Sequence, residues 1–434
     1  MIREYMNNTL YIDGVNTVKL AQKYGTPLYV MSRNSIAAKC AELRKDFLDK
    51  YTDTRVAYAC KAFCTLAMCK IIEKEGFGLD VVSGGELFTA IQAEFPAEKI
   101  EFNGNNKLKN ELELAIDYGV GRIIIDSVEE LHLVDQICKE KDKNVSILLR
   151  LSPAIEMSGA THEYITTASK NSKFGISMEN DDIHNAIKCT EKSPHINFLG
   201  FHFHIGSQLM EKDSHIKAVK KVLDLVRNVC IGLGEEIKEL NLGGGFGIKY
   251  LPKDDVKPFR YFLDPMMELI DSFFSEIKRK RPTIVIEPGR SIVGEAGTTL
   301  YTIGGIKRIK DGKTFVSVDG GMTDNIRPGL YQSEYAGIVA NKTDNEASQT
   351  VDIAGKCCES TDILMKDTHI PDVRPGDVYA MFSTGAYGYA MANNYNRICK
   401  PAVVMADNGR DDMIVKRQNY NDLTQNDIIP QSLD

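Results

Sequence analysis

Short apolar runs alternate with longer amphipathic stretches up to about residue 290 of the chain. The runs are rich in β-branched and aromatic residues, which is typical of buried strands. Between them, the stretches 64–74, 85–94 and 107–118 have the spacing of apolar residues expected of helices. The eight segments predicted as strands are 55–60, 78–82, 100–103, 122–126, 145–151, 198–205, 239–242 and 283–287.

Eight strands that are each followed by a crossover, within roughly 250 residues, predict a (β/α)8 TIM barrel. A doubly wound open sheet gives the same alternation, so periodicity alone leaves both folds open. After residue 290, helical periodicity is scarce and the strand-like segments are separated by Gly, Asp and Pro turns. These segments, which predict a C-terminal antiparallel β-sandwich or β-barrel domain, are 298–309, 314–319, 350–354 and 377–382.

Length and composition narrow the class of protein. A chain of 434 residues is longer than one hydrophobic core usually organises. We predict a barrel domain at 32–290 and a β domain built from 1–31 and 291–434, to which the run 9–13 could add a strand. The net charge of −7 argues against a nucleic-acid or anionic-membrane binder. Without an apolar leader or a C-x-x-C pair among its ten cysteines, the chain is expected to be cytoplasmic, with reduced thiols.

The C-terminal ends of the predicted strands are where a barrel carries its reactive groups. The first strand ends at Lys61. A lysine in that place could serve as a Schiff-base lysine, because desolvation favours its neutral amine. It could equally extend its ammonium into solvent.

The sixth strand carries His202 and His204, which are two residues apart and therefore share a side of the strand. H-x-H on a barrel strand suggests a metal-dependent hydrolase, but zinc needs three or four ligands. The other histidines fall mostly in predicted helices or loops. His204 is better placed to stack on a flat cofactor.

The seventh and eighth strands end in a triple glycine at 243–245 and in Glu287 followed by Arg290. Glycine amides after these strands often form the phosphate site of a barrel, although a plain turn would look the same. Glu287 and Arg290 could form an internal salt bridge. Together, however, the strand ends supply a lysine, a histidine that can stack on a ring, a phosphate-binding loop and a carboxylate. A protein needs these groups to hold pyridoxal phosphate. At ~4 Å and an effective dielectric of ~20, the carboxylate would stabilise a protonated ring nitrogen by roughly 4 kcal/mol, which suits decarboxylation.

The motifs along the chain resemble those of the alanine-racemase-fold, pyridoxal-phosphate-dependent decarboxylases that act on ornithine, diaminopimelate or arginine. The similarity covers nearly the whole length, and several short motifs in the right order are more specific than any one of them. The matching segments are 24–30, 78–87, 103–107, 172–175, 204–208, 243–245, 287–290, 326–331, 358–360 and 384–387.

The resemblance implies roles for individual residues. Cys358 would be the general acid that protonates the substrate carbon after CO2 leaves. It would come from the β domain of the other subunit, so the active form would be a homodimer. Lys61 would form an imine with the cofactor, His204 would stack on its ring, and Glu287 would pair with its ring nitrogen. Ser207 and Gly245 would hold its phosphate. Arg290 and Tyr387 would make further contacts with it.

Charge then argues for the substrate. The distal end of diaminopimelate carries a carboxylate and an ammonium, whereas ornithine and lysine end in a cation alone. The planar guanidinium of an arginine suits the carboxylate, because it can donate two parallel hydrogen bonds to it. Arg327 and Tyr331 are spaced i, i+4 and fit this role. Arg290 and Tyr387 would be further substrate contacts. Glu359 would take the distal ammonium. We expect the chain to decarboxylate meso-2,6-diaminopimelate to L-lysine, the last step of lysine biosynthesis. The expected partner is thus a small amino acid substrate, and no metal site is expected.

Several alternatives and departures remain. A relative acting on ornithine, lysine or arginine is the nearest rival. A racemase of the same fold would want a cation where Glu287 stands, and a non-catalytic regulator would be expected to have lost Lys61 or Cys358. The chain also departs from the family at Phe63, where Asn is usual, and at Cys357, where we would expect His. The stretch 155–170 is a candidate for a closing segment.

Overall fold

The structure is a computed structural model, and it describes residues 3–155, 172–178 and 181–433. The candidate closing segment at 155–170 therefore lies, apart from its first residue, outside the described residues. The chain divides into two compact units. The barrel unit comprises Lys39–Ile248 and Asp255–Ile292, and the β unit comprises Met1–Ala38, Lys249–Asp254 and Val293–Asp434.

The described strands, in chain order, are β1 (Arg3–Met6), β2 (Thr9–Ile12), β3 (Val15–Asn16), β4 (Leu28–Ser32), β5 (Thr54–Ala59), β6 (Gly78–Val81), β7 (Ile100–Phe102), β8 (Arg122–Ile125), β9 (Val145–Ser152), β10 (Ile176–Ser177), β11 (Ile196–Phe203), β12 (Glu239–Asn241), β13 (Thr283–Ile286), β14 (Gly297–Arg308), β15 (Thr314–Val318), β16 (Gly337–Val339), β17 (Gln349–Ala354), β18 (Ile363–Ile370), β19 (Val378–Phe382), β20 (Ala402–Asp407) and β21 (Arg410–Val415).

The described α-helices are α1 (Thr17–Tyr24), α2 (Arg33–Leu43), α3 (Leu66–Lys74), α4 (Gly84–Gln92), α5 (Lys109–Tyr118), α6 (Val128–Lys141), α7 (Asp182–Lys192), α8 (Asp213–Arg227), α9 (Phe259–Glu276), α10 (Arg290–Val293), α11 (Arg327–Tyr331) and α12 (Tyr420–Thr424). A short 3-10 turn, Cys60–Ala62, follows β5.

Eight parallel strands close the barrel unit into a cylinder. The order is β9-β11-β12-β13-β5-β6-β7-β8, and β8 pairs with β9 to complete the circle. That last pairing, in which Ile123 faces Ile147, excludes the open sheet. The two-residue strand β10 is added alongside β9. All eight predicted barrel strands are confirmed, and each differs from the prediction by only a few residues at its ends.

A ring of opposite charges lies near the N-terminal ends of the barrel strands. Arg55 pairs with Glu101 at 3.0 Å and with Glu239 at 2.8 Å. Arg122 contacts the same two carboxylates, at 3.3 Å and 3.1 Å. Removing one partner would leave the charges of this network only partly compensated, which is a destabilising change. We call these four residues the basal ion cluster.

The β unit is built on mixed sheets. Strands β15 and β17 are parallel, as are β4 and β20, while most other pairs are antiparallel. The predicted β domain is therefore present, but its sheets are mixed and not antiparallel throughout. The predicted strand at 9–13 is β2, but it pairs with β1 and β3 in a separate three-stranded sheet. The N-terminal strand that joins the large sheet is β4, between β14 and β20.

The described part of the chain contains no helix that is both long enough and apolar enough to span a membrane.

Candidate active site

Six of the residues singled out in the sequence belong to the barrel unit, at or just beyond the C-terminal ends of its strands: Lys61, His204, Ser207, Gly245, Glu287 and Arg290. Lys61 lies in the 3-10 turn after β5. Because parallel strands of a barrel end at one face, these side chains share that face.

Glu287 is held at both of its carboxylate oxygens. Nε2 of His202 lies 3.1 Å from Oε2, and Nδ2 of Asn241 donates to Oε1 at 2.8 Å. All three residues are buried. Their strands, β11, β12 and β13, are adjacent in the barrel. The carboxylate therefore has a fixed orientation just beyond the end of β13.

The electrostatic surroundings keep Glu287 ionised. Burial alone would raise its pKa, but His202, Lys61 and His204 hold the pKa of this carboxyl below its usual range. Burial in turn lowers the pKa of His202, so its neutral imidazole is the donor to Glu287 near pH 7. The site thus presents a buried anion of fixed position.

His204 is neutral and oriented. The backbone N–H of Gly244 donates to its Nδ1 at 3.1 Å. Burial lowers the pKa of His204 well below its usual value, and the cationic Lys61 and Arg150 lower it further. An uncharged imidazole of fixed tilt has a flat face on which an aromatic ring can stack.

The triple glycine has no room for side chains. A Cβ at Gly244 would come within 2.2 Å of the Glu287 carbonyl oxygen, and one at Gly245 within 2.7 Å of the Gly206 carbonyl oxygen. Gly243 and Gly245 also have positive φ, of 67° and 109°. The backbone here can be approached closely by an anion, as a phosphate loop requires.

Arg290 extends the same region with a positive charge. Its Nε and Nη2 lie 3.2 Å and 2.9 Å from Oγ of Ser207, and the guanidinium is buried. A guanidinium and a hydroxyl that already touch form a ready receptor for phosphate oxygens.

Asp80 lies in the matching segment 78–87, but the resemblance assigns it no role. It lies on β6, is fully buried, and neither carboxylate oxygen has a hydrogen-bond partner within the described residues. Burial and the nearby Glu287 raise its pKa well above the usual value, while Lys61 opposes that rise. The sequence signal that could have identified it is a lone acidic residue inside an otherwise apolar strand.

The β unit holds the other five residues singled out in the sequence: Arg327, Tyr331, Cys358, Glu359 and Tyr387. Arg327 begins α11 and is 5% exposed. Its Nε donates to Tyr335 Oη at 3.0 Å, and its guanidinium carbon lies 5.2 Å and 5.7 Å from the ring centres of Tyr331 and Tyr387. Among the described residues, its partners are hydroxyl groups and aromatic rings, and no carboxylate forms an ion pair with it.

Cys358 and Glu359 lie on the surface of the β unit. Cys358 is exposed, and its backbone N–H donates to Asn396 Oδ1 at 2.9 Å. Glu359 is also exposed and accepts a hydrogen bond from the hydroxyl of Tyr395. Neighbouring Cys357 is buried and its Sγ contacts Thr323. The two adjacent thiols therefore have different environments.

The arrangement of His202 and His204 does not favour a metal centre. His202 is committed to Glu287, and His204 accepts from a backbone amide. Among the described residues, no group of three or more His, Cys, Asp and Glu side chains could hold a metal ion.

Comparison with known proteins agrees with this geometry. Residues 33–294 match the family model described as "Pyridoxal-dependent decarboxylase, pyridoxal binding domain". A diaminopimelate decarboxylase of Bacillus subtilis is 44% identical over 98% of this chain and 97% of its own length. One of Bacillus methanolicus is 47% identical over 94% of each chain. The crystal structure of the M. jannaschii diaminopimelate decarboxylase in complex with L-lysine is 36% identical, covers 99% of this chain and 98% of its own, and superposes with a TM-score of 0.93.

The barrel unit is thus that of a pyridoxal-dependent decarboxylase. Over its full length, the chain belongs to the diaminopimelate decarboxylase family.

The barrel unit fits pyridoxal phosphate on its own geometry. The 243–245 loop has no side chains to stand between its backbone amides and an anion, and Ser207 with Arg290 supplies further polar atoms. Glu287 is an oriented anion suited to a protonated ring nitrogen.

Proposed function

We propose that this chain decarboxylates meso-2,6-diaminopimelate to L-lysine and CO2 with pyridoxal phosphate. The observation that carries the substrate assignment is Arg327, a buried guanidinium without a carboxylate partner among the described residues. A buried cation with only neutral partners is costly unless an anion joins it. A distal carboxylate of the substrate would provide that anion, which ornithine, lysine and arginine cannot do. The relatives named above support the same assignment.

The barrel residues would bind and orient the cofactor. Lys61 would hold it covalently, the loop 243–245 with Ser207 and Arg290 would hold its phosphate, and the neutral face of His204 would support its ring. Glu287 would keep a proton on the ring nitrogen. Bound pyridoxal phosphate supplies the electron sink for the pair released when the carbon–carboxylate bond breaks.

The residues of the β unit would bind the substrate and return a proton. Arg327, with Tyr331 and Tyr387, would bind the distal carboxylate in a two-point contact. Glu359 would bind the distal ammonium. Cys358 would donate its Sγ proton to the carbon that has lost CO2.

We further propose that the active form is a homodimer in which Cys358 and Glu359 of one subunit complete the site of the other. The exposure of both side chains on the β unit supports this proposal, because a general acid needs to be covered before it can act in a water-poor site.

The test is CO2 release by the purified protein, supplied with pyridoxal phosphate, from meso-diaminopimelate, ornithine, lysine and arginine in parallel. We expect activity on meso-diaminopimelate alone and its loss in Lys61→Ala. The matched control is Lys70→Ala, which removes an exposed lysine of α3 that pairs with Glu73. Release from ornithine or lysine instead would refute the role given to Arg327 and leave the cofactor assignment standing.

A further inference from the structure

One buried amide connects two parts of the cofactor site. Asn241, at the end of β12, is fully buried. Its Nδ2 donates to Glu287 Oε1 at 2.8 Å and to Glu101 Oε2 at 2.7 Å. Its Oδ1 accepts from the backbone N–H of Gly243 at 2.9 Å. Both amide hydrogens and the carbonyl oxygen are therefore in use.

The partners fix the direction of the amide. The ionised Glu287 carboxylate can only accept, and the Gly243 N–H can only donate. Nδ2 must therefore face the two carboxyl groups and Oδ1 the glycine. Aspartate has the same shape as asparagine, but it could donate at most one hydrogen bond, and only when protonated.

The side-chain amide of Asn241 is also held from the N-terminal side of the barrel, through Glu101. Glu101 belongs to the basal ion cluster, where Arg55 and Arg122 lie 3.0 Å and 3.3 Å from its Oε1. The bonds thus run from two arginines through Glu101 and Asn241 to Glu287. Rotation of the Glu287 carboxylate would break a chain of charge-assisted hydrogen bonds.

We propose that Asn241 is a positioning residue that sets the Glu287 carboxylate and the first glycine of the phosphate loop with a single side chain. The distance between the group that pairs with the ring nitrogen and the group that receives the phosphate is thereby fixed before the cofactor binds. This inference rests on the cofactor placement of the proposed function and not on its substrate.

The first test compares Asn241→Ala and Asn241→Asp with the wild type in the absence of substrate. Cofactor affinity is measured by equilibrium dialysis with pyridoxal phosphate, and the absorbance of the bound cofactor is followed against pH. Since the hydrogen bond to the charged Glu287 carboxylate is lost, we expect affinity to fall by about tenfold or more in both variants. The pH dependence of the absorbance should shift relative to the wild type, because Glu287 no longer has a fixed position. Asn197→Asp, an exposed asparagine on β11, is the matched control and should behave as the wild type.

A double-mutant cycle separates positioning from a general loss of structure. If Asn241 acts through Glu287, Asn241→Ala should cost much less affinity in a Glu287→Gln background than in the wild type. Additive losses, or a variant with wild-type affinity and absorbance, would overturn the proposal. If a variant does not fold, as judged by the unfolding temperature of the cofactor-free protein, Asn241→Ser takes its place in the cycle. None of these readouts involves an amino acid substrate, so a failure of the substrate assignment would leave their outcome unchanged.

Discussion

Nε2 of His202 lies 3.1 Å from Oε2 of Glu287, and both side chains are buried. The histidine that a sequence pattern associates with metal binding is thus a neutral donor to a carboxylate. This contact gives the first prediction. His202→Leu removes a donor whose influence lowers the pKa of Glu287, while burial continues to raise it. The acid limb of the pH profile of kcat should therefore move to higher pH.

His202→Gln is the conservative variant for this experiment, because its amide nitrogen can still donate to Glu287. We expect it to restore most of the wild-type pH profile. An acid limb at the same pH in wild type, His202→Leu and His202→Gln would show that the contact does not control Glu287.

Gly245→Ala should weaken cofactor binding. A Cβ at this position would lie 2.7 Å from the Gly206 carbonyl oxygen, and the φ of 109° is rare for any residue but glycine. We expect the dissociation constant for pyridoxal phosphate to rise by about fivefold to a hundredfold, in line with a backbone strain of ~1–3 kcal/mol. Gly232→Ala is the control, since a Cβ there meets no atom within 4 Å and needs no positive φ. Equal affinities of the two variants would contradict the assignment of the phosphate loop.

Arg327→Lys should raise KM for meso-diaminopimelate by about tenfold to a hundredfold, because an ammonium keeps the charge but loses the two-point contact with a carboxylate. kcat should change less than KM. Arg374→Lys, at an exposed arginine of the β unit, controls for the substitution itself. A fall in kcat at unchanged KM would place Arg327 outside the substrate contact.

Mixing two inactive variants tests the shared site. Lys61→Ala and Cys358→Ala should each be inactive alone. If each site takes Lys61 from one subunit and Cys358 from the other, half of the randomly reassorted dimers carry one intact site, and activity should return to about one quarter of the wild type. A mixture that stays inactive, although mass spectrometry detects heterodimers, would mean that each site is built from a single chain.

The barrel should lose stability in mild acid because of His215. This side chain stacks on Phe246, and its Nε2 lies 3.3 Å from the Gly244 carbonyl oxygen. Burial lowers its pKa to about 4, from 6.5. Between pH 6.5 and 4, the unfolded chain therefore binds a proton at His215 that the folded chain does not bind. The free energy of unfolding falls as the pH drops through this range.

The size of this effect is about 3 kcal/mol in the free energy of unfolding, from 1.36 kcal/mol per pKa unit. Urea titrations at pH 7, 5.5 and 4 would measure it. His215→Phe, which cannot be charged, should reduce the pH dependence by that amount, whereas His132→Phe on the exposed face of α6 should not. The same slope in both variants would assign the acid sensitivity to other groups.

The sequence allowed the barrel and the family to be predicted because both depend on local patterns. Each barrel strand is a short buried run such as β8, in which Ile123, Ile124 and Ile125 are all buried. Such a run is recognisable before its neighbours are known. The motifs at the strand ends are equally local, so the candidate residues of each unit could be named in advance.

Features that depend on distant residues escaped prediction. In the sequence, β4 looks like any other apolar segment. Only its pairing with β14 and β20 shows that the N-terminal strand of the large sheet is at 28–32 and not at 9–13. Asn241 likewise stands two residues before the first glycine in the sequence, but its bond to Glu101 spans 140 positions. A polar residue at an inward position of an apolar strand is a weak signal, and its partner can be identified only from the fold.

The basal ion cluster bears on the route by which small molecules reach and leave the barrel site. Arg55, Arg122, Glu101 and Glu239 pair near the N-terminal ends of the strands, and the interior of such a barrel is a packed core and not a pore. We therefore expect cofactor and amino acid to enter, and carbon dioxide and product to leave, at the C-terminal face of the barrel. An inhibitor bound at that face would slow the release of product as well as the entry of substrate.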